Sequence, residues 1–284
     1  MEPGYSAQPS VPTGGLIVIS GESGVGKTHL IRQVLLDPEW GPDRVLIFYA
    51  ENPMQTIGED AGGRHFVRLR AIEQFSAEVE KLVALKSGGG AFPFTIAFMD
   101  SLTGLADYQF MKYEDNPTQF MVPNDRGDMV PNAYAKYYDF GSRAGRACIR
   151  ARDELGIDFV MMATTYGRPP IYTLPGNVVP RNLNRWSSAC LHMVSEKGEI
   201  PLSVVDEIVA GTRKAGDHQS LGRDEQGRPT GVVVSRFFET TNNGEVLAKG
   251  HRSLGLREKA VLPMILRKIH GKPESATRGQ GGTK

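Results

Sequence analysis

Residues 21 to 28 read Gly-Glu-Ser-Gly-Val-Gly-Lys-Thr, a complete GxxxxGK[ST] spacing, and they constrain the fold more than any other stretch. Glycines at these positions let the backbone curl tightly, so that successive N–H groups converge on one anion while the following helix turns the positive end of its dipole toward it. In this pattern Gly21, Glu22, Ser23, Gly24, Val25 and Gly26 form the cradle, Lys27 reaches the outer phosphates and the Thr28 hydroxyl ligates Mg2+. The flanks agree. Leu16-Ile17-Val18-Ile19 reads as a buried strand, and Leu30, Ile31, Val34 and Leu35 fall at helical spacing after the loop. Strand, loop and helix are the context the motif requires, so the expected ligand is a nucleoside triphosphate.

A chain of 284 residues with 40% hydrophobic content can bury one substantial core. No run of 18 apolar residues is present, and residues 1–15 lack the basic start and apolar stretch of a secretory leader, which argues against a membrane span. Cys148 and Cys190 have neither metal spacing nor disulfide density, so the expected setting is a reducing cytoplasm. A net charge of +1 gives no global signature of nucleic-acid binding. Residues 249–284 are different, with nine Lys or Arg against two acids, a balance able to hold a polyanion or simply to face solvent.

The pattern divides the chain into a flexible lead-in over 1–13, a main α/β domain over 14–262, and a basic C-terminal helix with a disordered tail over 263–284. Within the domain, strands are expected over 45–49, 95–99 and 159–163, separated by helices over 76–86 and 132–155. Buried strands alternating with helices imply a parallel sheet covered on both faces. Closer-spaced apolar runs at 191–194, 204–210, 231–239 and 245–248 suggest antiparallel strands extending that sheet. Two stretches, 107–131 and 166–185, are rich in Pro, aromatic and polar residues and read as long functional loops.

A site that hydrolyses a nucleotide needs carboxylates at the strand tips beside the loop. Asp100 closes the apolar strand 95–99 and is placed to hold Mg2+; Glu51 ends the strand after the first helix and is placed to activate water. Thr164 and Thr165 end a third strand, where their hydroxyls are placed to sense the γ-phosphate, and Thr165 is counted among the catalytic residues. The NKxD guanine-reading motif is missing, which leaves ATP as the expected nucleotide.

The phosphate loop, Ala50-Glu51 at a strand end and Phe98-Met99-Asp100-Ser101-Leu102 together resemble the RecA family of ATPases over roughly residues 14–197. More narrowly, residues 13–27, 100–108 and the final HRSLGLREKAVLPMILRKIHGK look similar to short RecA-like proteins of bacteriophages, some of which promote single-strand annealing and recombination. The resemblance implies an α/β RecA-like P-loop core, mainly parallel and flanked by helices. It also implies ATP hydrolysis with Mg2+, a homo-oligomer, and single-stranded DNA held by the two long loops, with recombination proteins as further partners in a host bacterial cytoplasm. For DNA the second loop offers Arg168, Arg181 and Arg185, with Tyr172 and Trp186. The first loop offers Tyr108, Phe110, Tyr113 and Phe120 among many acids. A cation donated by a neighbouring subunit is assigned to Lys249 and Arg252, with Arg213 and Lys214 in reserve. That family carries glutamine where this chain has Thr165. Two alternatives remain at this point: a ring-shaped helicase or packaging motor on the same core, and a nucleotide-dependent switch with protein partners.

Overall fold

The computed structural model describes residues 14–51, 54–58, 65–89, 92–132, 135–167, 170–174, 178–240 and 253–272. Its elements run β1 (Leu16–Gly21), α1 (Lys27–Leu35), β2 (Val45–Tyr49), α2 (Met54–Ile57), β3 (Phe66–Arg68), α3 (Ile72–Ser87), β4 (Ile96–Asp100) and α4 (Leu102–Asp115). There follow β5 (Met121–Pro123), β6 (Met129–Pro131), α5 (Ala135–Leu155), β7 (Asp158–Tyr166), β8 (Ile171–Tyr172), α6 (Val178–Trp186) and β9 (Ala189–Glu199). The last are α7 (Leu202–Val209), β10 (Gln219–Arg223), β11 (Pro229–Glu239), β12 (Arg257–Lys259) and α8 (Leu262–Ile269).

One sheet organises them, in the order β10-β11-β9-β1-β7-β4-β2-β3, with β12 on β11 and β8 on β7. The pairs from β9 through β3 are parallel, and β11 with its partners β9, β10 and β12 is antiparallel. The protein is therefore α/β, with a mostly parallel central sheet flanked by helices. β1 shows why: Leu16 and Val18 enter one core while Ile17 and Ile19 enter the other, so the strand is apolar on both faces and must be covered twice. On the first face Phe48, Phe75 and Phe159 pack with ring centroids 5.6–6.2 Å apart. Fully burying each such ring contributes about 1.5–3 kcal/mol.

The second face is closed by α1 and α8, with Leu262, Ile265 and Leu266 buried against it. The C-terminal helix expected within 263–284 thus packs into the main core. Its charges are paired: the Arg267 guanidinium contacts both Asp37 oxygens at 2.7 Å and Glu39 at 3.1 Å, Lys268 meets Glu258 at 2.8 Å, and Lys272 meets Glu39. These cations face protein carboxylates, not an open basic surface.

Three expected segments are corrected. Residues 107–131 are not a loop: 107–115 complete α4, because Leu102, Leu105, Ala106, Gln109 and Tyr113 recur at helical spacing and are buried. The rest is a 3-10 turn over Pro117–Phe120 and the β5–β6 hairpin, which turns through Gly127 at φ 82°. Its aromatics are used inside: Phe110 stacks on Tyr137 at 5.1 Å, Tyr113 meets Phe120 at 4.8 Å, and the Tyr113 hydroxyl donates to Asp139 at 2.8 Å. Residues 166–185 likewise contain β8 and most of α6. Residues 204–210, expected as a strand, lie largely in α7, where Pro201 stands at the N-cap and Val205 is buried. The run 245–248 lies outside the described residues. Among the described residues no helix is long and apolar enough to cross a membrane.

Candidate functional site

β1 delivers its last residue, Gly21, to the carboxyl edge of the sheet, where the chain turns into α1. The turn needs Gly24 and Gly26, whose φ angles of 76° and 104° lie in the left-handed region. Lys27 folds back over the loop and its Nζ donates to the carbonyls of Gly21 at 2.8 Å and Glu22 at 2.9 Å. Burial pulls the Lys27 ammonium below its ordinary range, while the Asp100 and Glu51 carboxylates act in the opposite direction.

The other expected carboxylates arrive at the same edge. β4 ends in Asp100, whose Oδ2 accepts a hydrogen bond from Thr28 Oγ1 at 2.9 Å. Burial pushes the Asp100 carboxyl up to about 6, partly offset by the Thr28 hydrogen bond. β2 runs out into Glu51, which is exposed at the rim. A Cβ built on Gly104 would stand 2.7 Å from Glu51 Oε1, so the glycine leaves room for that carboxylate where α4 starts. Ser101 caps α4 by accepting from the Gly104 N–H at 3.0 Å.

Thr165 is corrected. The β1–β7 register sets Gly21 opposite Thr164, and it is Thr164 that lines the cleft, with its N–H donating to Thr103 Oγ1 at 2.9 Å. Strand residues alternate faces, so Thr165 turns away. It is buried, and its hydroxyl has no hydrogen bond among the described residues.

Together these groups line a cleft of about 440 Å³, a volume in the usual range for small-molecule sites. Gly26, Lys27, Thr28, Glu51, Asp100 and Thr164 form one part of it; His29, Thr56, Gln219, Ser220 and Arg236 form another. The second group was missed from sequence. Arg236 carries no motif, and only the antiparallel pairing of β11 with β9 brings it beside the loop 211 residues earlier in the chain. The Thr28 hydroxyl and Asp100 carboxylate are hard oxygen donors of the kind Mg2+ takes when phosphate and water complete its shell. The described residues contain no cluster of three or more His, Cys, Asp or Glu able to hold a metal by themselves.

The residues assigned to DNA are spread out. Arg185 is exposed near the end of α6, three residues before the Ser188 N–H meets the Leu16 carbonyl, and so stands at the sheet edge opposite the cleft. Arg181 lies within α6; Arg168, Lys249 and Arg252 lie outside the described residues. Arg213 is exposed and 3.5 Å from Glu207, and Lys214 is exposed beyond α7. Tyr172 is buried, Trp186 packs against the core, and Tyr166, at the end of β7, is 56% exposed. No family model matches the chain, and no curated protein matches it.

Proposed function

We propose that this protein is a RecA-like P-loop ATPase that binds ATP with Mg2+ and hydrolyses it. The observation that carries the reading is the meeting of Thr28 and Asp100 at 2.9 Å beside the phosphate loop, with Glu51 on the rim of the same cleft.

In this reading the loop N–H groups and Lys27 hold the phosphates, replacing the carbonyls that Lys27 now contacts. Thr28 and Asp100 would hold Mg2+, which when bound neutralises charge on the phosphate oxygens. Glu51 orients a water and accepts its proton as the water oxygen bonds to the γ-phosphorus; the β–γ bridging P–O bond breaks and ADP leaves with the electron pair. Thr164 lines the same cleft and would offer its hydroxyl to the γ-phosphate.

The resemblance to the RecA family extends the proposal to self-assembly and to single-stranded DNA, in phage-type recombination or annealing. Tyr166 supports that extension: it lies two residues beyond Thr164 on the same face of β7, and its exposed ring offers a base a stacking surface. A salt-sensitive rise in ATP turnover on adding single-stranded DNA is expected. Turnover indifferent to DNA, with no DNA retained at low salt, removes the extension and leaves the ATPase.

A further inference from the structure

The cleft has a wall that hydrolysis does not use. β11 lies two strands from β1, on the side away from β7, β4 and β2. Four strand steps separate β11 from the Asp100 strand, about 19 Å at the usual spacing. From β11, the Arg236 side chain crosses to the phosphate loop: Nε donates to the Val25 carbonyl at 2.8 Å and Nη1 to Ser220 Oγ at 2.9 Å. The guanidinium lies so close that a Cβ on Gly26 would stand 2.8 Å from Nε.

Both acceptors are neutral. No ion pair involves Arg236 among the described residues, and Nη2 has no hydrogen bond among them. Burial pulls the guanidinium below its ordinary range with no carboxylate to offset it, whereas Arg267 is matched by Asp37 and Glu39. A part-buried cation beside a phosphate cradle, without a protein counter-charge, is completed by an anion from solution.

We infer that Arg236 is a nucleotide-binding cation supplied by the chain's own β11, gripping the inner phosphate end of the triphosphate while Lys27, and the Mg2+ that Thr28 and Asp100 would hold, take the outer end. The inference rests on the nucleoside-triphosphate reading above. Because Arg236 stands on the side of β1 opposite Asp100 and Glu51, it acts on binding and not on the bond that breaks. ADP and ATP share the inner phosphates, so both depend on it alike.

The test is calorimetric titration of ADP and Mg2+-ATP into wild type, Arg236→Met and Arg236→Lys, with kcat and KM for ATP and melting of each protein without nucleotide. Arg236→Met is expected to weaken ADP and ATP by the same factor, about tenfold or more, for loss of a charge-assisted contact. KM rises in step, kcat stays within about twofold, and Arg236→Lys recovers part of the affinity. Unchanged affinity in Arg236→Met overturns the inference. So does a fall in kcat at constant KM, or an equal loss in both variants that tracks an equal fall in melting temperature, the mark of a strut for the loop. Wild type that binds neither nucleotide overturns the triphosphate reading itself; wild-type binding with an indifferent Arg236→Met overturns this inference alone.

Discussion

Thr28 Oγ1 donates to Asp100 Oδ2 at 2.9 Å, joining the first turn of α1 to the tip of β4 across 72 residues. Their positions in the chain do not bring them together. They become a pair because β4 and β1 are both parallel to β7 and end on the same edge.

Asp100→Asn keeps the side-chain shape and an acceptor for Thr28 but removes the charge Mg2+ requires. The variant is expected to melt like wild type and lose about a hundredfold or more in Mg2+-dependent ATP hydrolysis. Chelating Mg2+ from wild type should produce the same loss in a phosphate-release assay. A variant with wild-type turnover and Mg2+ dependence removes Asp100 from the metal site.

Gly104 offers a way to move Glu51 without changing it. A methyl group there would meet Glu51 Oε1 at 2.7 Å and Cγ at 3.1 Å, and the carboxylate is the group free to swing aside. Within a helix, alanine is favoured over glycine by up to about 1 kcal/mol. Gly104→Ala should therefore melt no lower than wild type and bind ATP equally well, while kcat falls about tenfold or more, the usual scale for a displaced general base. Unchanged kcat means the present position of Glu51 is irrelevant to turnover.

The two threonines near the end of β7 show how far the residues alone can be read. Sequence identifies the strand and its edge, but Thr164 and Thr165 are adjacent and chemically alike, and only the register against Gly21 decides which faces the cleft. α4 was hidden for a related reason: Asp107, Glu114 and Asp115 make 107–131 look like a polar loop, yet its buried residues keep helical period. The phosphate loop, Glu51 and Asp100 were legible because each closes or follows an apolar strand. Arg236 was not, since its role depends on a strand pairing that no local pattern encodes.

A clamp at the other edge of the sheet gives a pH dependence. His270 Nε2 lies 2.7 Å from Asp158 Oδ2, and Asp158 Oδ1 accepts from the Gly15 N–H at 3.1 Å, so the end of α8 is tied to the starts of β1 and β7. The Asp158 hydrogen bond raises the His270 pKa above the ordinary 6.5; burial and Lys272 act against it and Glu39 with it. A histidine raised on folding contributes stability that is fully present below its unfolded pKa and lost as pH rises through the folded one. Urea unfolding of His270→Ala should show its largest deficit below about pH 6.5 and a shrinking deficit above it. A deficit that grows with pH contradicts the clamp.

The central claim is that this cleft hydrolyses ATP with Glu51 as the base, and it is tested most directly by measuring ATP binding and turnover on the same samples of wild type, Lys27→Ala and Glu51→Gln. The account predicts that wild type binds and hydrolyses, that Lys27→Ala loses binding, and that Glu51→Gln binds like wild type but turns over about a hundredfold or more slowly. Glu51→Gln hydrolysing at the wild-type rate, or wild type failing to bind ATP at saturating Mg2+, would contradict it.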